Sequence, residues 1–331
     1  MPLKPGDTLK SRYRIRRFIS RGGMGSIYQA DDLRLEGRLC AIKEVQLDTS
    51  LPAATRQQTR EQFQREANVL ARMDHPNLPK VSDIFSEGQS DFLVMDYVPG
   101  KDLRTLMIEA RQRKEFLPER DVLSWARQIS NALVYLHSQD PPILHRDIKP
   151  SNLKLTPTDV VKLVDFGLVK ILAPDDATIT IVQGRGTALY TPLEQYGGDT
   201  GHTDARSDIY AFGATLYHLL TNTPPTEARE RFLNPNRFVQ IREINPDISP
   251  RTERAVEWAM SLHPDQRPEN MILFRDALLG NWNPEARPSG PLPAPSFTDV
   301  ISSQIERGLI WVSAALLILS LISTLSHSIG P

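Results

Sequence analysis

Residues Tyr13 to Ile19 alternate apolar and polar side chains, the pattern of a strand with one buried face, and Ile27-Tyr28-Gln29-Ala30 reads as its return partner. Leu39 to Val45 is a further strand, and its period of two places Ala41 and Lys43 on one face. From Glu61 to Met73 the spacing changes. Phe63, Val69, Leu70 and Met73 recur at helical intervals, with Glu66 on the same stripe. Phe92-Leu93-Val94-Met95 predicts a buried strand leading to Asp96-Tyr97-Val98-Pro99-Gly100. Beyond it the pattern is mostly helical. Val122 to Leu136 and Arg251 to Leu262 have helical spacing, and Ser207 to Leu220 is apolar nearly all round, as in a helix buried at the centre of a lobe. Leu153-Lys154-Leu155 and Val160 to Val164 flank Thr156-Pro157-Thr158-Asp159, which has turn composition, and together they predict a hairpin.

Polar residues inside this pattern carry the chemistry. Ser20-Arg21-Gly22-Gly23-Met24-Gly25-Ser26 joins the first two strands, and glycines there let backbone N–H groups approach phosphate oxygens. A carboxylate on the inward stripe, Glu66, needs a cation, and Lys43 is the candidate. After Ile143-Leu144 comes His145-Arg146-Asp147-Ile148-Lys149-Pro150-Ser151-Asn152. One acid, one lysine and one amide at these offsets suit phosphoryl transfer: Asp147 aligns a hydroxyl, Lys149 steadies the phosphoryl group, and Asn152 offers a neutral oxygen to a metal. Asp165, at a predicted strand end before Phe166-Gly167, supplies anionic oxygens for the same hard cation. Asp208, near the start of a buried helix, must accept backbone N–H bonds to be tolerated.

In their order and spacing these motifs resemble those of eukaryotic-type serine/threonine protein kinases, most of all the bacterial branch, over roughly residues 10 to 282. The resemblance implies an α+β, two-lobed protein kinase fold, with a small antiparallel-sheet N-lobe carrying one main helix and a larger, mostly helical C-lobe. Residues 1–97 would form the first lobe and 98–282 the second. Lys43, Glu66, Asp147 and Lys149 are then the catalytic set, with ATP and Mg²⁺ (or Mn²⁺) as cofactors. Ser20, where the family has its first glycine, would cover the phosphates with Gly22, Gly23 and Gly25. Ile27, Ala41 and the gatekeeper Met95 would enclose adenine, and Asp96 to Val98 would form the hinge. Asn152 and Asp165 would hold the metal. His145, Thr187, Glu194, Asp208 and Arg267 fall on structural positions: a spine histidine, a threonine bridging Asp147 and Lys149, a Glu194–Arg267 pair, and an aspartate that anchors the catalytic loop. Lys154 departs from the family's leucine beneath adenine, so that either its stem or Leu153 or Leu155 forms the floor. Arg146 resembles the arginine that pairs with an activation-segment phosphate, for which Thr178 and Thr180 are the candidate phosphosites.

Composition adds to this picture chiefly at the C-terminus. With 39 basic and 40 acidic residues, the 331-residue chain offers nothing that implies nucleic acid as a partner. Cys40 is the single cysteine, which excludes an intrachain disulfide and fits a reducing compartment. The first residues have no apolar core and do not form a secretory signal peptide. Residues 283–307 include five prolines between Pro284 and Pro295, the composition of an extended tether and juxtamembrane segment. Gly308 to Leu325 carries no charge and is rich in Leu, Ile and Ala, so a single transmembrane helix is expected over 308–326, with a short extracytoplasmic tail at 327–331. That places the kinase domain on the cytoplasmic side of a cell membrane, acting on protein substrates and self-associating for trans-autophosphorylation. The rival readings are a pseudokinase-like nucleotide-binding scaffold and a lipid or small-molecule kinase.

Overall fold

The computed structural model describes residues 2–22, 25–46, 52–165, 188–196 and 203–280. Six strands form one antiparallel sheet in the order β1-β2-β3-β4-β6-β5: β1 (Thr8–Leu9), β2 (Tyr13–Gly22), β3 (Gly25–Asp32), β4 (Leu39–Gln46), β5 (Val81–Glu87) and β6 (Ser90–Asp96). The alternation that predicts β2 holds at its start, where Tyr13 and Ile15 turn into one core with Tyr28, Ala30, Cys40, Ile42, Phe92 and Val94. Register shifts after Ile15 and after Phe18 then break the period and leave Phe18 exposed. Cys40 and Ile42 enter this core, so Ala41 and Lys43 occupy the opposite face.

Helix α1 (Ala53–Ala71) packs against β5 and starts eight residues before the predicted boundary. Its first two turns, rich in Ala, Gln, Arg and Thr, face solvent and need no apolar stripe, and the stripe is the feature that periodicity detects. Strand β5, which the pattern did not predict, is the sheet's edge; its mixed Val81-Ser82-Asp83-Ile84 run is partly exposed on both faces and shows no clean alternation.

A small sheet, β7 (Lys101–Asp102), β8 (Leu153–Leu155) and β9 (Val161–Leu163), joins the first lobe to the helices. These are α2 (Leu103–Gln112), α3 (Glu119–His137), α4 (Ala205–Thr221), α5 (Ala228–Leu233), α6 (Ile241–Ile244), α7 (Pro250–Ala259) and α8 (Met271–Leu279). Polar caps start several of them. Asp102 accepts from Thr105 N in α2, Asp204 from Arg206 N in α4, and Ser249 from Thr252 N in α7. Helix α4 is buried on almost every side and contacts α3, α7 and α8. Its Gly213 allows α7 close: a Cβ there would lie 2.9 Å from the Ala259 Cβ.

Packing divides the chain into Met1–Trp282 and Asn283–Pro331. The second unit, with the expected membrane span, lies outside the described residues. Among the described residues no helix is long and apolar enough to cross a membrane.

Candidate active site

The loop from His145 to Asn152 is held from below by the first turn of α4. Asp208 accepts the N–H of His145 at 2.9 Å and of Arg146 at 2.8 Å, and its Oδ2 also lies 2.9 Å from His137 Nε2. Burial pushes the Asp208 carboxyl up, but the hydrogen bond and field of His137, with His145, outweigh it and hold the group below its usual range. This anchorage stabilises Arg146 in a left-handed conformation, φ 61°. Burial pushes the His145 imidazolium down, which keeps that ring neutral. Further along, Thr215 Oγ1 donates to Ile148 O at 3.2 Å, so α4 grips the loop at two heights.

Above this support the polar side chains converge. Lys149 Nζ sits 2.8 Å from both carboxylate oxygens of Asp147. Asn152 Nδ2 donates to Asp147 O at 2.8 Å and to its Oδ2 at 2.9 Å. With the amide nitrogen so engaged, the amide oxygen has, among the described residues, one long contact, to Ser151 Oγ at 3.5 Å. Val164 N donates to Asn152 O at 2.8 Å and ties the end of β9 to the loop. The next residue, Asp165, has φ 57°, and its Oδ1 lies 2.6 Å from Lys43 Nζ. Burial raises the Asp165 carboxyl, but the charge and hydrogen bond of Lys43 prevail and hold it below its usual range. Glu66 is buried on α1, where Gln62 Nε2 donates to its Oε1 at 3.0 Å.

The sheet lines the other wall. Strand register sets Ser20 opposite Ile27, Ile27 opposite Lys43, and Ala41 opposite Met95. Gly22 pairs with Gly25, while Gly23 lies outside the described residues. Gly25 has a structural cause of its own: a Cβ there would stand 1.8 Å from Glu44 O, so only glycine lets β3 lie this close to β4. Asp96 directs its carboxylate to Lys80 N at 3.2 Å and to Arg38 at 3.5 Å. Val98 is buried. Leu153 points into the core, whereas Lys154 faces the other way and sets its Nζ 5.9 Å from the centroid of the Tyr97 ring. Of the alternatives for the cleft floor, this favours the Lys154 stem.

Farther out, Arg267 forms a two-pronged pair with Glu194, at 2.7 and 3.0 Å. Its remaining donors go to the carbonyls of Ser261, Leu262 and Arg206, and Ser207 Oγ donates to Glu194 Oε1 at 2.7 Å. Thr187, Thr178 and Thr180 lie outside the described residues.

Sequence reasoning missed His137, Thr215, the contact of the Tyr97 ring with Lys154 and the contact of Tyr190 with His218. His137 had a detectable signal, a titratable side chain at the end of an apolar helix just ahead of the loop. The other three depend on tertiary contacts with no local pattern.

A polar, metal-competent cleft beside an antiparallel sheet and above a helical lobe defines a two-lobed phosphotransferase fold. The sequence matches the protein kinase domain family over residues 13–301, and the chain belongs to that family. The serine/threonine-protein kinase PknA of Mycobacterium tuberculosis is 31% identical over 291 residues, 84% of this chain and 63% of PknA. The serine/threonine-protein kinase pkn3 of Myxococcus xanthus is 33% identical over 291 residues, 82% of this chain and 50% of pkn3. A Streptomyces coelicolor relative is 35% identical over 275 residues, and the chain spans 38% of its length. Among solved structures, the PknI kinase domain of M. tuberculosis aligns with a TM-score of 0.64 at 27% identity, over 85% of this chain and 100% of that one.

Proposed function

We propose that this chain transfers the γ-phosphate of ATP to Ser or Thr hydroxyls of proteins. The observation that carries this reading is the convergence of Asp147, Lys149 and Asn152 with the Lys43–Asp165 pair at one end of the cleft. Asp147 orients the acceptor hydroxyl and takes its proton, and Lys149 places positive charge beside the moving phosphoryl group. Lys43 binds phosphate oxygens, supported by Glu66. The backbone from Ser20 through Gly22 and Gly23 to Gly25 covers the phosphates, while Ile27, Ala41, Met95, Asp96 and Val98 surround the base.

The donors fit Mg²⁺ or Mn²⁺: the Asn152 amide oxygen is turned free of its own NH₂ bonds, and Asp165 is an anionic oxygen donor. Among the described residues no group of three or more His, Cys, Asp or Glu gathers, so the remaining ligands would be phosphate oxygens and water. When bound, the ion neutralises phosphate charge.

Arg146 supports a regulatory reading. Its Nε is buried with no hydrogen-bond partner among the described residues, and a phosphate on Thr178 or Thr180 would satisfy it. Thr187 completes the bridge between Asp147 and Lys149. Residues 283–307 act as a tether and 308–326 as a single-pass anchor, with Gly308 to Leu325 in the bilayer and the kinase domain on the cytoplasmic side. Chains held on one surface would meet and phosphorylate one another.

Purified full chain incubated with γ-labelled ATP and Mg²⁺ should label itself or a basic protein on Ser or Thr. Nucleotide binding without any label would instead favour the scaffold reading, and label found only on lipid would favour a lipid kinase.

A further inference from the structure

The flank of the catalytic loop carries charge that the phosphoryl site does not use. Helix α2 packs against Pro150–Asn152 and against α4. On α4, Thr215 touches the loop at Ile148 O, and His218 lies one turn further on, about 5 Å along the axis. There the Tyr190 hydroxyl meets His218 Nδ1 at 2.7 Å, with the two rings stacked at 6.1 Å. Burial, with Arg104 and Arg111 beside it, depresses His218 to about 4, so the ring is neutral and its tautomer sets which partner donates in the contact with Tyr190.

Among the described residues, the charges that act on this pair are those of Arg104 and Arg111. Arg104 and Arg111 lie two turns apart on one face of α2, and both are exposed. Arg104 also acts on Tyr190. The acids in and beside this helix are engaged elsewhere: Asp102 caps α2 by accepting from Thr105 N at 2.8 Å, Glu109 pairs with Lys101 at 2.7 Å, and Glu115, beyond the helix, pairs with Arg113 at 2.8 Å. Neither Arg104 nor Arg111 has an ion pair among the described residues. A neutral histidine at this place offers nothing to a basic peptide, and the two arginines repel one.

We propose that Arg104 and Arg111, above the Tyr190–His218 pair, form a docking surface for acidic side chains of the protein substrate close to the acceptor Ser or Thr. His218 lies one turn, about 5 Å, beyond Thr215, which touches the catalytic loop at Ile148 O, and an extended peptide covers about 10 Å in roughly three residues. The preference therefore applies within about three positions of the acceptor. This inference rests on the protein kinase reading above.

The test uses the purified full chain with a peptide library that places Asp, Lys or Ala at each position from −5 to +5 around a central Thr. Wild type should favour Asp over Lys at one or more positions within three of the acceptor by roughly 3- to 10-fold in kcat/KM, and the ratio should shrink as salt is raised. Arg104→Glu with Arg111→Glu should invert the ratio while labelling of the Ala peptide stays within about twofold. Transfer with no Asp preference, or a preference the double variant leaves unchanged, overturns the docking surface alone. Absence of transfer to every peptide and to the chain itself overturns the kinase reading and this inference with it.

Discussion

Lys43 and Asp165 lie 122 residues apart in sequence and meet at 2.6 Å. The contact links the inner face of β4 to the segment just after β9, so one ion pair ties the sheet to the neighbourhood of the catalytic loop. Lys43 is buried, and an ammonium there without a carboxylate would be strongly disfavoured. Loss of either partner should therefore act on the nucleotide end of the cleft more than on the fold of the helical lobe.

Lys43→Met should lower the rate of phosphate transfer by about 10² to 10³, the range seen when one preorganised electrostatic contact is removed. Asp165→Asn should do the same and in addition raise the Mg²⁺ concentration needed for half-maximal rate. Steady-state rates across a Mg²⁺ titration would check both. A Lys43→Met enzyme within threefold of wild type would remove Lys43 from the proposed mechanism.

The local elements of this site were legible because each has its own period or spacing. Strands β2 to β4 and β6 were read from alternation and apolar runs, α3 and α4 from helical spacing, and Asp147, Lys149 and Asn152 from their offsets. What pattern could not supply was pairing. The helical stripe suggests Glu66 for Lys43, but no local pattern suggests the contact with Asp165, which is brought about by the β8–β9 hairpin and a left-handed residue beyond its end. Gly25 was read through its freedom near phosphates, while its approach to Glu44 O is a sheet contact invisible before β3 and β4 are paired. Helix α2, ten residues long and with Ile108 exposed among its outward polar side chains, presents no long clean stripe for periodicity to detect.

Asp208→Asn should destabilise the fold by about 2–4 kcal/mol and lower kcat. An amide has a single acceptor oxygen, so one of the N–H groups of His145 and Arg146 would face an NH₂ group instead of a carboxylate. His137→Ala should cost less, since the two backbone donors would still hold Asp208. Urea denaturation would give the stabilities, and the ratio of kcat loss between the two variants would separate loop anchorage from global loosening.

Arg267→Met should cost about 3–5 kcal/mol, because it leaves Glu194 and three carbonyls without their donor in a buried setting. Replacing both members, Glu194→Met with Arg267→Met, should cost less than the sum of the single changes. Thermal melts of the four proteins in a double-mutant cycle would measure the coupling, and additive losses would show that the pair is not the unit that holds this region.

The Tyr190–His218 contact should give the protein an acid-sensitive limb. His218 sits at about 4 in the folded chain against an ordinary value near 6.5, lowered by burial and by Arg104 and Arg111. Between those values the unfolded chain binds a proton that the folded chain does not, so stability is complete above about 6.5 and falls as pH drops toward 4. Protonation also makes Nδ1 a donor, so that in this contact the Tyr190 hydroxyl can then only accept. From pH 7 to pH 5 this group alone should remove roughly 2 kcal/mol. His218→Gln keeps an acceptor for Tyr190 but cannot titrate, and buried His145, also depressed, contributes equally to both proteins. Unfolding free energies from urea melts at the two pH values should therefore fall by about 2 kcal/mol more for wild type than for His218→Gln. Equal losses would mean that His218 does not carry the acid limb.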